Sequence, residues 1–200
     1  MKVDQLNQSN RYFDRHFQCQ AVKILPGEYY ATSAELLIVT VLGSCVSVCL
    51  RDPIAKVGGM NHFLLPYDEG GIEQDSDSAR YGSYAMEVLT NELMKRGAAR
   101  SRLEAKVFGG GNVLRGLTVA NVGERNADFV TDFLRTEQIP IVASDLLGEY
   151  PRKVYFFTHT GEVKVKKLKR MHNSTIFERE SEYKVKLLQF HGAGEVELFE

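Results

Sequence analysis

Cys45 and His62 are the two side chains of this sequence whose types and placement suit covalent chemistry: a thiol to attack, and an imidazole to take its proton. Both lie in one stretch, LGSCVSVCLRDPIAKVGGMNHFLLP, at 42–66. Cys45, Ser47 and Cys49 alternate with Val46, Val48 and Leu50, the period-two pattern of a strand with one apolar face, and 57–65 reads as a second strand. Asp52-Pro53 turns the chain between them. A four-residue loop at 52–55, closed by Arg51 opposite Lys56, sets Cys45 directly across from His62. Cβ atoms so opposed lie about 4.5–5.5 Å apart, within reach of a shared thiol proton. A bulge at Gly58 or Gly59 is the competing register, and it turns His62 to the other face. A strand cysteine is also a common core residue, so packing is the plain alternative.

The elements around this hairpin are legible to different degrees. The 200 residues, 44% hydrophobic, suffice for one full core. Residues 1–18 are polar and lack periodicity, as an arm would be; 21–25 begins a sheet. The segment 35–42, ELLIVTVL, is apolar on both faces, as a doubly buried strand is, until Gly43 breaks it. After a loop at 67–77, a helix runs from Asp77 or Ser78 to about Arg96, with Tyr81, Ala85, Leu89 and Leu93 on one face and Gly97 ending it. A strand at 103–108 leads into Gly109-Gly110-Gly111, a second helix covers 126–136, and strands follow at 139–143, 153–157 and 163–168. This order predicts an α/β layered sandwich of mixed sheet with two main helices. The stretch 171–200 shows only the alternation of Tyr183, Val185 and Leu187.

Several function classes are disfavoured. Lys and Arg number 25 against 26 Asp and Glu, so no basic excess points to nucleic acid or an anionic membrane. Three cysteines, Cys19, Cys45 and Cys49, make no disulfide framework; Cys45 and Cys49 would stand about 13 Å apart on one strand face. No CxxC occurs, and His16, His62, His159, His172 and His191 are scattered, so no metal site is expected. Neither a signal core nor a run of about 18 apolar residues is visible, which predicts a cytoplasmic protein with no membrane insertion. The basic run 164–170 alternates with valines as a solvated strand face does.

Three further positions carry a functional and a plain reading. Gly109, Gly110 and Gly111 can offer amides to an oxyanion, or let a substrate backbone come close, or simply turn the chain; no nucleotide-loop pattern is present. Thr40 can hydrogen-bond His62 and fix its tautomer, or fill the strand as any β-branched residue does. Ser44 is the competing hydroxyl.

TVLGSCVSVCLRDP followed by GGMNHFLLP resembles the signature of the CheD family of chemoreceptor glutamine deamidases. The resemblance continues through LEAKVFGGGN, NVGERN and GEYPRKVYFFTHTGEVKVKKL, over about residues 20–170. It implies an α/β/β sandwich with largely antiparallel mixed sheets, and hydrolysis of glutamine side-chain amides in chemoreceptor cytoplasmic regions. Cys45 is then the nucleophile, His62 the base and Thr40 the third residue, with no cofactor. Ser44 and Gly109–Gly111 are the candidate substrate-binding positions, and the oxyanion donors are amides at either place. The domain expectation is an arm at 1–18, a deamidase domain at 19–170 and an extension at 171–200 packed on it. Implied partners are methyl-accepting chemotaxis receptors and a CheC-type phosphatase. The rival readings are receptor methylester hydrolysis by the same thiol and a non-catalytic binding module.

Overall fold

The computed structural model describes residues 10–65, 75–113, 122–168, 178, 180–183 and 185. Its elements are β1 (Arg11–Asp14), β2 (Cys19–Lys23), β3 (Tyr29–Thr32), β4 (Leu37–Leu42), β5 (Val46–Asp52) and β6 (Val57–Asn61). There follow α1 (Asp75–Lys95), β7 (Glu104–Gly109), α2 (Val122–Thr136), β8 (Ile141–Leu146), β9 (Arg152–Phe157) and β10 (Val163–Lys167). One sheet has the order β1-β2-β4-β9-β10 and the other β3-β6-β5-β7-β8. Only β2/β4 and β7/β8 pair in parallel, so both sheets are mixed and largely antiparallel.

Strand alternation sorts the side chains into layers. Val46, Val48 and Leu50 leave one face of β5 and join Met86, Leu89 and Leu93 of α1 and Val130 and Leu134 of α2. Cys45 and Cys49 leave the other face and join Ile38 and Leu42 of β4 and Val154 and Phe156 of β9. The result is an α/β/β sandwich: helices, second sheet, first sheet. A smaller cluster, Ala21, Leu37 and Val39 with Phe17, Tyr155 and Phe157, covers the outer face of the first sheet. β4 is therefore buried on both faces, as its unbroken apolar run requires.

Both helices lie where the apolar spacing puts them, with α2 beginning earlier, at Val122. Gly97 stops α1 in the left-handed region (φ +99°), and the amides of Gly97 and Ala98 close back on Met94 and Leu93, a Schellman turn. Two short strands carried too little pattern to be read. Tyr29–Thr32 edges the second sheet, and Arg11–Asp14, inside the 1–18 segment expected as an arm, pairs with β2.

The hairpin register differs from the sequence expectation. Asp52 stands opposite Val57, Leu50 opposite Gly59 and Cys49 opposite Met60, so the four-residue loop is Pro53–Lys56 rather than 52–55. Asp52 is the cause. Its Oδ1 accepts the amides of Ile54 (2.9 Å) and Ala55 (3.0 Å), which keeps Asp52 in the strand as the loop's anchor. Lys56 takes the left-handed conformation that returns the chain (φ +54°). Oδ2 accepts the Ala99 amide at 2.8 Å, and the Arg102 guanidinium pairs with it at 2.7 Å. Burial alone would lift this carboxyl, but Arg102 and the three amides hold it well below the usual carboxylate range.

Asp52→Ala leaves those donors without their acceptor, and it should lower the unfolding free energy by about 2–3 kcal/mol. The check is urea denaturation. The midpoint should fall with an unchanged slope; a native midpoint would mean that Asp52 does not hold the loop.

Candidate active site

Three elements from two sheets meet in the layer between the sheets. β4 contributes Thr40, the residue entering β5 is Cys45, and His62 follows the end of β6. Thr40 shares its strand face with Ile38 and Leu42, while Cys45 and His62 share theirs with Cys49, Met60 and Leu64. All three are buried: Thr40 and Cys45 are 0% exposed and His62 2%.

The shift in hairpin register leaves this convergence intact. The pairing moves by two residues, which preserves face parity, and Val46 opposite Phe63 continues the same register past the strand end. No residue is inserted at Gly58 or Gly59. Extending that register puts His62 diagonal to Cys45 rather than directly across. Between these pairs, side chains replace the ladder bonds: Ser47 Oγ donates to the Asn61 carbonyl (2.5 Å) and the Val48 amide to Asn61 Oδ1 (2.9 Å). The His62 backbone turns instead to 27–28, its amide donating to Glu28 O (2.9 Å) and its carbonyl accepting from the Gly27 amide (2.8 Å).

Hydrogen bonding assigns the imidazole tautomer. Thr40 Oγ1 donates its one proton to the Ile24 carbonyl at 2.9 Å. It lies 2.7 Å from His62 Nδ1, so it can only accept there, and Nδ1 carries the hydrogen. Nε2 is left with its lone pair, buried and without a hydrogen-bond partner among the described residues. Burial lowers the His62 pKa to about 3 and lifts the Cys45 thiol well above its ordinary value, with the Glu180 carboxylate adding to the rise. Thiol and imidazole are thus both neutral in this conformation.

Cys45 has a different neighbour. Glu180, 8% exposed, accepts from the amides of Gly43 (2.9 Å), Ser44 (3.2 Å) and Cys45 (3.3 Å) and from Ser44 Oγ (2.6 Å). Three successive amides turned on one carboxylate form an anion-binding nest. The Glu180 carboxylate also opposes ionisation of the Cys45 thiol. A cavity of about 20 Å³ adjoins, bounded by Ile24, Leu25, Val41, His62 and Glu180 among others, with space for about one water.

The glycine cluster is placed behind this nest. The Gly110 amide donates to Cys45 O and the Gly111 amide to Gly43 O, each at 2.8 Å, so neither is available to an oxyanion. The close approach the glycines permit is by their own chain. A Cβ on Gly109 (φ +114°) would stand 2.2 Å from Cys45 O, and one on Gly110 (φ +63°) 2.6 Å from the Gly123 carbonyl at the start of α2. Gly109, Gly110 and Gly111 therefore brace the turn that presents Cys45. Ser44 bonds Glu180 through both its amide and its hydroxyl.

Two residues of the site escaped the sequence reading. Asn126, fully buried, donates to Ser44 O (2.9 Å) and accepts the Leu65 amide (2.9 Å), tying the turn to the chain beyond His62. It stands in the NVGERN stretch, where motif matching gave it no task. Glu180 lies in the acidic run ERESE, which has the look of a solvated surface. Among the described residues, no three His, Cys, Asp or Glu side chains gather as a metal site would, and no helix is long and apolar enough to cross a membrane.

The family model described as CheD chemotactic sensory transduction matches residues 64–167. Curated relatives extend the match across the site. A protein of Shewanella oneidensis named probable chemoreceptor glutamine deamidase CheD 1 is 64% identical, covering 97% of this chain and 95% of its own. A protein of the same name from Dechloromonas aromatica is 61% identical over 96% and 94%. The probable chemoreceptor glutamine deamidase CheD of Methylobacillus flagellatus is 58% identical over 96% and 95%.

The neutral burial of His62 makes stability depend on pH. Between pH 6.5 and 3 the unfolded chain binds a proton that the folded imidazole refuses, so stability is complete above pH 6.5 and falls as pH drops. The loss at pH 5 should be on the order of 2 kcal/mol. His62→Gln should remove that component, and urea midpoints for both proteins at pH 7 and pH 5 measure it. Equal losses would show that His62 does not stay neutral.

Proposed function

Because this chain belongs to the CheD family of chemoreceptor glutamine deamidases, we propose that Cys45 attacks receptor glutamine side chains with His62 as its base and Thr40 holding the imidazole. The observation that carries this assignment is the bare Nε2 of His62, fixed by the Nδ1–H···Thr40–Oγ1···Ile24 chain on the face where the Cys45 thiol lies.

The chemistry follows from those positions. With the substrate carboxamide seated, the thiol proton passes to His62 Nε2 and Sγ adds to the amide carbon. Negative charge gathers on the amide oxygen, and the amides of Gly43, Ser44 and Cys45 are placed to receive it. Imidazolium returns its proton to the nitrogen, ammonia leaves, and a γ-glutamyl thioester remains. Water, deprotonated by the same Nε2, releases glutamate and the free thiol. Thr40 is a positioning residue here: its hydroxyl accepts from Nδ1–H throughout and stabilises the imidazolium.

Residues 19–170 carry this domain in the proposal. Its substrates are exposed glutamines in the cytoplasmic regions of methyl-accepting chemotaxis receptors, which places the enzyme in the cytoplasm. The family resemblance adds a CheC-type phosphatase as a regulatory partner.

Incubation with a receptor cytoplasmic fragment should produce ammonia and a one-dalton mass gain at each modified glutamine. Cys45→Ala and His62→Ala should each lower the rate at least 10²-fold, whereas Thr40→Val should leave a measurable remainder. Methanol in place of ammonia would make the enzyme an esterase, and receptor binding without either product would make it a binding module. A Cys45→Ala protein that still deamidates sinks the mechanism.

A further inference from the structure

The chain's own Glu180 stands where the mechanism needs a substrate. Glu178, Glu180, Ser181, Glu182, Tyr183 and Val185 have helical backbone, so Glu180 and Tyr183 share a face one turn apart. Tyr183 supplies the second anchor. Its ring covers Gly27, where a Cβ would come within 2.5 Å of it, and its hydroxyl pairs with that of Tyr81 on α1. A Cβ on Gly43 would likewise meet the Glu180 carboxylate at 2.8 Å, so the turn is shaped to admit that group.

The group itself is chemically telling. A glutamate side-chain carboxylate is the product of glutamine deamidation, and here one is held by the three amides that would receive the oxyanion, with the nucleophilic thiol against it. With Glu180 in place Cys45 is 0% exposed, and the adjoining cavity of about 20 Å³ takes a water, not a glutamine side chain. The amide nest is filled by Glu180, while His62 Nε2 waits without a hydrogen-bond partner among the described residues. A catalytic role for Glu180 is opposed by its charge, which makes the thiolate harder to form.

We propose that the Glu180–Tyr183 turn is an intramolecular product mimic, which holds the Glu180 carboxylate in the Gly43–Ser44–Cys45 amide nest and closes the active site until a receptor glutamine side chain displaces it. The nest is then the subsite for the substrate carboxamide oxygen, and opening frees the thiol to turn to His62. This rests on the deamidase reading for the identity of the competitor, though not for the closure.

The experiment compares Glu180→Ala, Tyr183→Ala and the unaltered full-length protein in two assays. The first is the rate of Cys45 alkylation by iodoacetamide, mapped by mass. The second is ammonia release from a receptor cytoplasmic fragment. Both variants should alkylate at least tenfold faster at Cys45, with Cys49 unchanged as the control for an intact fold, and both should deamidate faster at subsaturating receptor. Unchanged alkylation in both variants overturns the closure. Faster alkylation with slower deamidation in both also overturns it, because Glu180 would then serve the reaction. If no protein releases ammonia while alkylation rises, the closure stands and the deamidase reading falls.

Glu180→Gln tests the mimicry directly, since it puts a carboxamide into the nest. Cys45 Sγ would add to the new amide carbon, ammonia would leave with the thiol proton, and water would cleave the thioester to restore a carboxylate and the thiol. The expected result is a one-dalton gain at position 180, absent when Cys45→Ala is added. An introduced carboxamide that persists while the same preparation deamidates the receptor overturns the product-mimic placement.

Discussion

The contact between His62 and Thr40 is a polar bond reaching between the two sheets, set among apolar side chains, and the site depends on it. A buried imidazole needs a partner for its N–H. Thr40 provides one from β4, and because its own proton is committed to Ile24 it can accept only. The Ile24 carbonyl just past β2 and the Thr40 hydroxyl from β4 thereby decide which nitrogen of the histidine following β6 is basic. Moving β4 by one residue would replace that hydroxyl with the outer-face side chain of Val39 or Val41, leaving His62 with an unsatisfied donor among Ile38, Leu42 and Met60.

How far the sequence displays this arrangement depends on the range of the interactions. Alternation in β5 and the unbroken apolar run of β4 report directly on which faces are buried, so a layered α/β sandwich with Cys45 and His62 on a common face could be read from residue types, with Thr40 open to two readings, whereas the α/β/β order was implied by the family resemblance. Register is a finer property. It turned on the Asp52 carboxylate, whose bonds to Ile54 and Ala55 are local but whose partners Ala99 and Arg102 lie far along the chain. The error was even in number, which is why the face survived it.

The glycines and Glu180 mark where local pattern stops informing. Gly109 and Gly110 take positive φ, and Cys45 O and the Gly123 carbonyl stand where a Cβ would go, a constraint set by two separate stretches of chain. In sequence a glycine that admits a substrate and one that admits its own backbone look alike. Glu180 is harder still: it sits 135 residues beyond Cys45 in an acidic run, and what distinguishes it is the tertiary position of one carboxylate.

In the proposed mechanism, the nest reconciles a reactive nucleophile with a buried one. Left alone, the amides of Gly43, Ser44 and Cys45 would be unpaired donors beside an apolar layer, a cost that any carboxylate or amide oxygen relieves. The donors proposed to stabilise an oxyanion therefore attract whatever acceptor the chain can bring to them, and Glu180 is that acceptor. Its charge favours the neutral thiol, the form least open to oxidation. A substrate carboxamide satisfies the amides without bringing a charge against the sulfur. In the proposed mechanism, exchange of the one for the other keeps the donors paired, removes the opposing charge and lets the thiol proton pass to His62 Nε2.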